Sequence, residues 1–408
     1  LDLQHNGMKF NVEMSFNKDT LKKKLQTICA EYEIKAQNAS LEATGHGFKI
    51  IKEKEGVTVD YDKTVEQLYT YVTEKWNKKA NIKLTATTTV SKPKYTTEDC
   101  EKVSNEPMGS YTTEFSVGSS YANRNLNIQN GAKLINGAVV YPGEQYSCNE
   151  NLYPWTEDNG WHPAGTYVDG GVQDSLGGGI CQVSSTLYNA LLRAEIKVVK
   201  RFPHSMAVGY VPLSADAALA GDYKDLKFVN NLDAPIYIEG YTVGKDIYFN
   251  IYGQETRPSN RKVTYESEVV SEEDPGTQFV ATGDAVGSIS TTQGKHMGYV
   301  ARLWKIVTVD GVEQSRDAIN KSTYKSSPKI VNVGTASADP NATAAVNAAL
   351  ATGDEATIYA TVAQYSGAGQ TPAETPAETP ADGSAEAAAI LGTVDESQIT
   401  ENTTTEGQ

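Results

Sequence analysis

The chain has 408 residues and a formal net charge of −15. It is too long for one ordinary core, so two to four domains are expected. Eleven of the acidic residues lie from Ala336 onward, where no Lys or Arg occurs, so the acidity belongs to the C-terminal end. No basic block or basic–aromatic interleaving points to nucleic acid, and no apolar run is long enough to span a membrane. The sequence begins at Leu1 rather than Met, which raises the expectation of a preceding signal or membrane anchor.

Residues 1–99 read as a compact α+β unit. Asp19 to Glu33 places Leu21, Leu25, Ile28 and Cys29 on one helical face, with Asn17 or Asp19 as N-cap. Phe48 to Lys52 reads as a strand, Tyr61 to Lys78 as a second helix carrying Val65, Leu68, Tyr69, Val72 and Trp76, and Ile82 to Val90 as a second strand. His46, between two glycines, is read as a turn residue. The four cysteines at 29, 100, 148 and 181 have no metal-like or redox spacing, and a Cys29–Cys100 bridge is the one pairing left open. No metal and no cofactor is called for.

Residues 108–254 form the second unit, and the chemistry gathers there. Gly177-Gly178-Gly179-Ile180-Cys181-Gln182 runs into a helical pattern through Val183, Leu187, Ala190, Leu191 and Ala194. Cys181 falls at the helix start, where unpaired N–H groups and the helix dipole favour a thiolate. The glycines let backbone approach a substrate closely. His204 follows in Arg201-Phe202-Pro203-His204-Ser205, ahead of a strand-like run from Met206 to Val211. Cysteine at a helix start and histidine at a strand start suit acyl transfer, with histidine as base. The N–H of Cys181, with that of Gly179 or Gln182, is the candidate oxyanion hole.

Asp225 is the first choice to orient His204, because it opens the strand after the histidine run; Asp216 and Asn230 are the alternatives. Arg124 and Arg201 are candidates to bind substrate carboxylates in bidentate fashion. Gly178, Gly179, Gln182 and Ser184 complete the candidate substrate-binding set, with Ser184 and Ser185 near Cys181 on the helix. Trp155, Trp161 and His162 lie in a loop from Tyr153 to Gly171 that reads as a cleft wall, and His162 is a rival base. Each of these residues also has a plain structural reading: turn, cap, salt bridge or packing.

Residues 262–335 read as a small all-β module. Asp310-Gly311 between β-like runs signals a hairpin, and the module reads as a binding or spacer element. Residues 336–408 read as a disordered acidic tail, with Thr-Pro-Ala-Glu repeats from Thr371 and a short helix near Ala342 to Leu350. The fold class is therefore α+β multidomain.

The central unit resembles the VanW family. The stretches that carry this are Phe115-Ser116, Arg124 to Ile128, Asn136-Gly137, Tyr141 to Glu144, Gly177 to Tyr188, Arg201 to Ser205, Tyr210 to Pro212, Asp216-Ala217 and Asp225 to Asn230. Cys148 stands where the family usually has Phe, which marks it as a packing residue. Residues 1–99 resemble a peptidoglycan-binding domain type often found beside L,D-transpeptidase domains, and 262–335 resemble the β module named for five glycines. The whole is similar to clostridial VanW-type L,D-transpeptidases. This implies an extracellular or cell-wall enzyme that forms 3–3 crosslinks through a cysteine thioester, with peptidoglycan stem peptides and glycan as partners. Two other functions stay open: a non-catalytic cell-wall-binding or adhesion protein, and a cysteine peptidase trimming stem peptides.

Overall fold

The computed structural model describes residues 16–76, 83–168, 171–221 and 223–366. Helices and several small sheets alternate along them, an α+β chain as the sequence implied. Chain contacts divide it into two compact units: Leu1–Glu42 with Lys49–Lys102, and Ala43–Phe48 with Val103–Gln408.

In the first unit, helix α1 (Lys18–Cys29) starts where Asn17 accepts a hydrogen bond from the Thr20 N–H at 2.9 Å. Strands β1 (Ser40–Ala43) and β2 (Phe48–Ile51) pair, and β3 (Gly56–Val59) pairs antiparallel with β4 (Thr88–Ser91). Helix α2 (Tyr61–Thr70) is capped by Asp60, whose carboxylate accepts from the Lys63 N–H at 3.0 Å, and α3 (Thr97–Cys100) closes the unit. The expected strand from Ile82 begins only at Thr88, because its partner β3 is four residues long and offers no further ladder. The end of the expected second helix and residue 82 lie outside the described residues. Cys29 and Cys100 are free thiols, so no bridge joins them.

The second unit runs through β5 (Gly109–Glu114), α4 (Ala122–Ile135), β6 (Ala138–Val140), β7 (Gln145–Ser147), α5 (Cys148–Leu152), β8 (Pro163–Val168), β9 (Gly171–Leu176) and α6 (Ile180–Arg193). It continues through β10 (Lys197–Lys200), β11 (Lys227–Val229), β12 (Ile236–Val243) and β13 (Asp246–Tyr252). The main sheet has the order β5-β13-β12-β6 and is antiparallel. Ile247, Phe249 and Ile251 alternate along β13 and are fully buried, the period-two pattern of a strand with one face in a core. They share that core with Ile128 and Ile135 of α4 and with Val183, Leu187 and Leu191 of α6. Cys148 sits in the same core, without exposure.

Strands β14 (Arg261–Glu273), β15 (Thr277–Ala285), β16 (Ile289–Gln293), β17 (Gly298–Val309), β18 (Val312–Tyr324) and β19 (Lys329–Ala336) follow in two sheets, β14-β17-β18 and β15-β19-β16. Asp310 and Gly311 both take positive φ (51° and 78°) between Val309 and Val312, the two-residue turn that Asp-Gly favours.

The expected disorder after Thr335 does not hold for its first part. Helices α7 (Pro340–Thr352) and α8 (Glu355–Tyr365) follow β19, capped by Asp339 and Asp354 and separated by Gly353 at φ +67°. Val346, Ala349, Ile358 and Val362 close over Val331 and Val333 of β19. The short helix expected near Ala342 to Leu350 is α7, while α8 was not anticipated; apolar residues spaced three and four apart supply both helix faces. The Thr-Pro-Ala-Glu repeats lie outside the described residues.

Ending the chain after Ala336 exposes Val331 and Val333, and burial of such side chains is worth roughly 1.5–3 kcal/mol each. The melting temperature should fall by several degrees. Ending it after Ser366 removes sequence with little apolar surface and should leave the melting temperature unchanged. Calorimetry of the two truncations checks both.

Candidate active site

Helix α6 is buried along almost its whole length, including Gln182, Ser184, Ser185, Thr186 and Asn189. Polar side chains buried in a helix must find partners. Here the partners are the segments that build the site. Ser184 Oγ donates to Ala217 O at 2.6 Å, Ser185 Oγ accepts from Ala217 N–H at 2.9 Å, and Asn189 Nδ2 donates to Ala215 O at 2.7 Å. The stretch Ala215–Leu219 is thereby tied along α6, and its Ala218 N–H donates to Phe202 O at 2.8 Å, joining it to the histidine segment.

Three pieces of chain meet at Cys181. The residue lies in the first turn of α6 and is part-exposed. Leu219 gives its sulfur both backbone groups: the N–H donates at 3.3 Å and the carbonyl faces it at 3.4 Å. The thiol therefore has an acceptor, and the thiolate a donor, from one residue. His204 is the neighbour that most favours the Cys181 thiolate against burial. Its Nδ1 is 2.7 Å from Asp216 Oδ2, which leaves Nε2 for the sulfur. Tyr210 Oη lies 3.4 Å from Nε2.

Asp216 is 1% exposed and its carboxylate has four contacts. Oδ2 takes the His204 N–H and ring at 2.7 Å each; Oδ1 takes Arg201 Nη2 at 2.7 Å and the Tyr324 hydroxyl at 2.6 Å. Burial alone would raise its pKa, but His204, Arg201 and Tyr324 hold it well below the usual carboxylate range. Burial likewise disfavours a charged His204, yet Asp216 and Cys181 push the imidazole up to about 9. Burial opposes the Cys181 thiolate too. The His204 hydrogen bond and charge, the Leu219 N–H and the Lys224 charge outweigh it, and the thiol titrates below its ordinary range. Both shifts favour a thiolate beside an imidazolium, with the carboxylate behind it. This arrangement can attack a carbonyl carbon and protonate a leaving amine.

Several expectations change. Asp225 is not beside His204. Its carboxylate accepts from Ser147 Oγ at 2.7 Å and Asn149 N–H at 3.0 Å, and so fastens β7 to α5. The strand expected after His204 is absent: residues 201–219 are irregular and fold back along α6, so the nearest carboxylate comes from that return and not from the next strand. Asn230 bonds Val140 O and Ala234 O and plays a turn role. Arg201 gives its guanidinium to Asp216, Ser214 O and Ser322. Arg124 is buried and donates to Gln182 Oε1 at 2.8 Å, while Gln182 Nε2 donates to Glu114 O at 2.8 Å; both brace the framework.

The Gln182 N–H donates to Gly179 O at 3.0 Å and is not available as an oxyanion donor. Gly178 serves close packing and not substrate approach, since a Cβ there would lie 2.5 Å from Ala164 O. Gly179 takes φ +102°, the left-handed turn that launches α6. Trp161 is fully buried and donates to Leu152 O at 3.2 Å, so it belongs to the core. His162 binds Asn127 through its backbone. The Leu219 N–H, Lys224 and Tyr324 carry no signal in the sequence, and Tyr210 is marked only by the family resemblance over Tyr210 to Pro212. Among the described residues, no three His, Cys, Asp or Glu side chains gather as a metal site requires.

The family model described as "VanW like protein" matches residues 123–252, which hold Cys181, His204 and Asp216. The model described as "Putative peptidoglycan binding domain" matches residues 2–81. The "Uncharacterized protein YoaR" of Bacillus subtilis (strain 168) is 36% identical over 163 residues, 40% of this chain and 53% of that protein. The "Vancomycin B-type resistance protein VanW" of Enterococcus faecalis (strain ATCC 700802 / V583) is 27% identical over 121 residues, 28% of this chain and 44% of that protein. The chain thus spans about half the length of these curated relatives. Among solved structures, "IgA1 Protease G5 domain structure" is 26% identical, covering 19% of this chain and 94% of its own, at a TM-score of 0.14. "Crystal structure of HP0197-G5" is 20% identical, covering 18% and 99%, at a TM-score of 0.11. No helix among the described residues is long and apolar enough to cross a membrane. The two family matches support a function connected with the cell wall. Over residues 123–252, the chain is similar to the VanW-like family.

Proposed function

We propose that this protein is a cysteine acyltransferase of the cell wall, an L,D-transpeptidase that forms 3–3 crosslinks between peptidoglycan stem peptides. The observation that carries the reading is the Cys181–His204–Asp216 relay, with the thiol in the first turn of α6 and its pKa lowered. The match of residues 2–81 to a peptidoglycan-binding description supports the choice of substrate. The Cys181 thiolate attacks the carbonyl at the L-centre of diaminopimelate in a tetrapeptide stem. A C–S bond forms, the C–N bond to D-Ala breaks, and the His204 imidazolium protonates the departing amine. The side-chain amine of a second stem then gives its proton to His204 and attacks the thioester. The new C–N bond forms as C–S breaks, and the thiolate returns. Asp216 acts through His204, as a positioning residue.

Defined tetrapeptide muropeptides and mass spectrometry test the reaction. The wild-type chain should release D-Ala and form 3–3 dimers, and Cys181→Ala should do neither. Trimmed stems without dimers would instead establish a peptidase, and no change at all would favour a binding protein.

Asp216→Asn should lose on the order of 100-fold or more in kcat, because the imidazole loses its orienting carboxylate. Asp225→Asn should keep near-normal rates and lower the melting temperature, since buried hydrogen bonds cost roughly 1–3 kcal/mol when broken. Parallel kinetics and thermal melts separate the two roles.

The pH dependence follows from the two shifts. The reactive ion pair exists above the lowered thiol pKa and below the raised imidazole pKa of about 9. The profile of kcat/KM should therefore rise below the ordinary thiol range and fall near pH 9, with apparent values that belong to the pair. His204→Ala should remove the falling limb and shift Cys181 alkylation to higher pH, because burial then acts unopposed by the imidazolium.

A further inference from the structure

The β module following β13 reads from sequence as a binding or spacer element, yet its strand β18 reaches into the relay. Asn320, Ser322 and Tyr324 alternate along β18 and so share one face. Tyr324 is 3% exposed; its hydroxyl donates to Asp216 Oδ1 at 2.6 Å and accepts from the Ser214 N–H at 2.7 Å. Ser322 is 2% exposed; its Oγ accepts from Arg201 Nη1 at 3.0 Å and lies 2.7 Å from Ser214 Oγ. Asn320 donates to Tyr188 Oη at 2.7 Å and Ser214 O at 2.8 Å without touching Asp216.

Both contacts on Oδ1 lead to this strand. One is the Tyr324 hydroxyl itself. The other is Arg201, which Ser322 braces. The two His204 contacts both fall on Oδ2. A carboxylate turns freely about its Cβ–Cγ bond unless both oxygens are held. If Oδ1 is released, Oδ2 no longer stays on His204 Nδ1, and the imidazole loses its aim at the sulfur. We infer that Tyr324, with Ser322 behind Arg201, is a positioning residue for the cysteine–histidine relay, so the β module is a component of the active site. This rests on reading Cys181, His204 and Asp216 as the acyl-transfer centre.

The test uses the full chain and needs no peptidoglycan in its main arm. Iodoacetamide labelling of Cys181 is followed across pH, with peptide mass spectrometry to separate it from the other cysteines. Tyr324→Phe keeps the ring and removes only the hydroxyl. Its labelling midpoint should move up toward that of an ordinary thiol, with a several-fold slower rate at pH 7. On tetrapeptide muropeptides its kcat should fall about tenfold or more with KM little changed. Asn320→Ala, which loosens the same docking without touching Asp216, should leave the labelling profile in place.

Equal stability losses in both variants with no change in either profile would overturn the inference and leave Tyr324 as a docking residue only. Should Tyr324→Phe fail to fold, Ser322→Ala decides: a smaller shift in the same direction supports the inference, and an unmoved profile overturns it. The peptidoglycan reading stands or falls separately. A labelling shift in a protein with no muropeptide activity would support the positioning role and end that reading. Turnover with an unmoved labelling profile would do the reverse.

Discussion

A carboxylate at 1% exposure must be met by donors on both oxygens, and the second unit is arranged so that Asp216 is. Its four contacts come from residues 201, 204 and 324, which are distant in sequence and converge only when α6, the irregular 201–219 segment and β18 are all in place. Removing one partner of such a group leaves a buried charge under-compensated, which costs more than one lost hydrogen bond. The same constraint couples stability to chemistry. The interactions that make a buried Asp216 tolerable also fix the His204 ring.

Helix α6 shows how a buried element can carry polar residues without penalty. Its apolar face, Val183, Leu187 and Leu191, joins the sheet core, while Ser184, Ser185 and Asn189 spend their hydrogen bonds on backbone of the Ala215–Ala217 stretch. Irregular backbone in a protein interior needs such partners, because no ladder or helix satisfies it. A helix that appears merely amphipathic in sequence is therefore also the support for a loop. Gln182 extends the same logic to the other side, bridging Arg124, Thr113 and the Glu114 carbonyl.

The electrostatics follow from burial opposed by pairing. Desolvation disfavours every charged form at the site, and each group's neighbours shift it back toward the charged form. His204 and Arg201 lower the Asp216 pKa, Asp216 and the sulfur raise that of His204, and His204, the Leu219 N–H and Lys224 lower that of the thiol. Cys148 is the internal contrast: a buried thiol with no cationic partner is pushed well above its ordinary value.

The sequence alone determined what is local. Helix starts at Asn17 and Asp60, the Asp310-Gly311 turn, the α6 register and the place of Cys181 at its head are set by residues within a few positions of one another. His204 was legible as the histidine of a motif, and Asp216 as one of three candidates. The preference for Asp225 came from assuming that a strand followed His204, and hydrophobic runs cannot distinguish a strand from an irregular buried segment. Of the two helices after β19, the first was legible near Ala342 to Leu350, and the second was missed because an alanine-rich stretch looks like a tail until something apolar lies beneath it. Only the tertiary structure decided which acid meets the histidine, that Arg201 serves Asp216 instead of a ligand, and that a tyrosine 108 residues further along the chain completes the contact. Each of these depends on long-range closure, where the partner is chosen by which segments the core brings together and not by spacing along the chain.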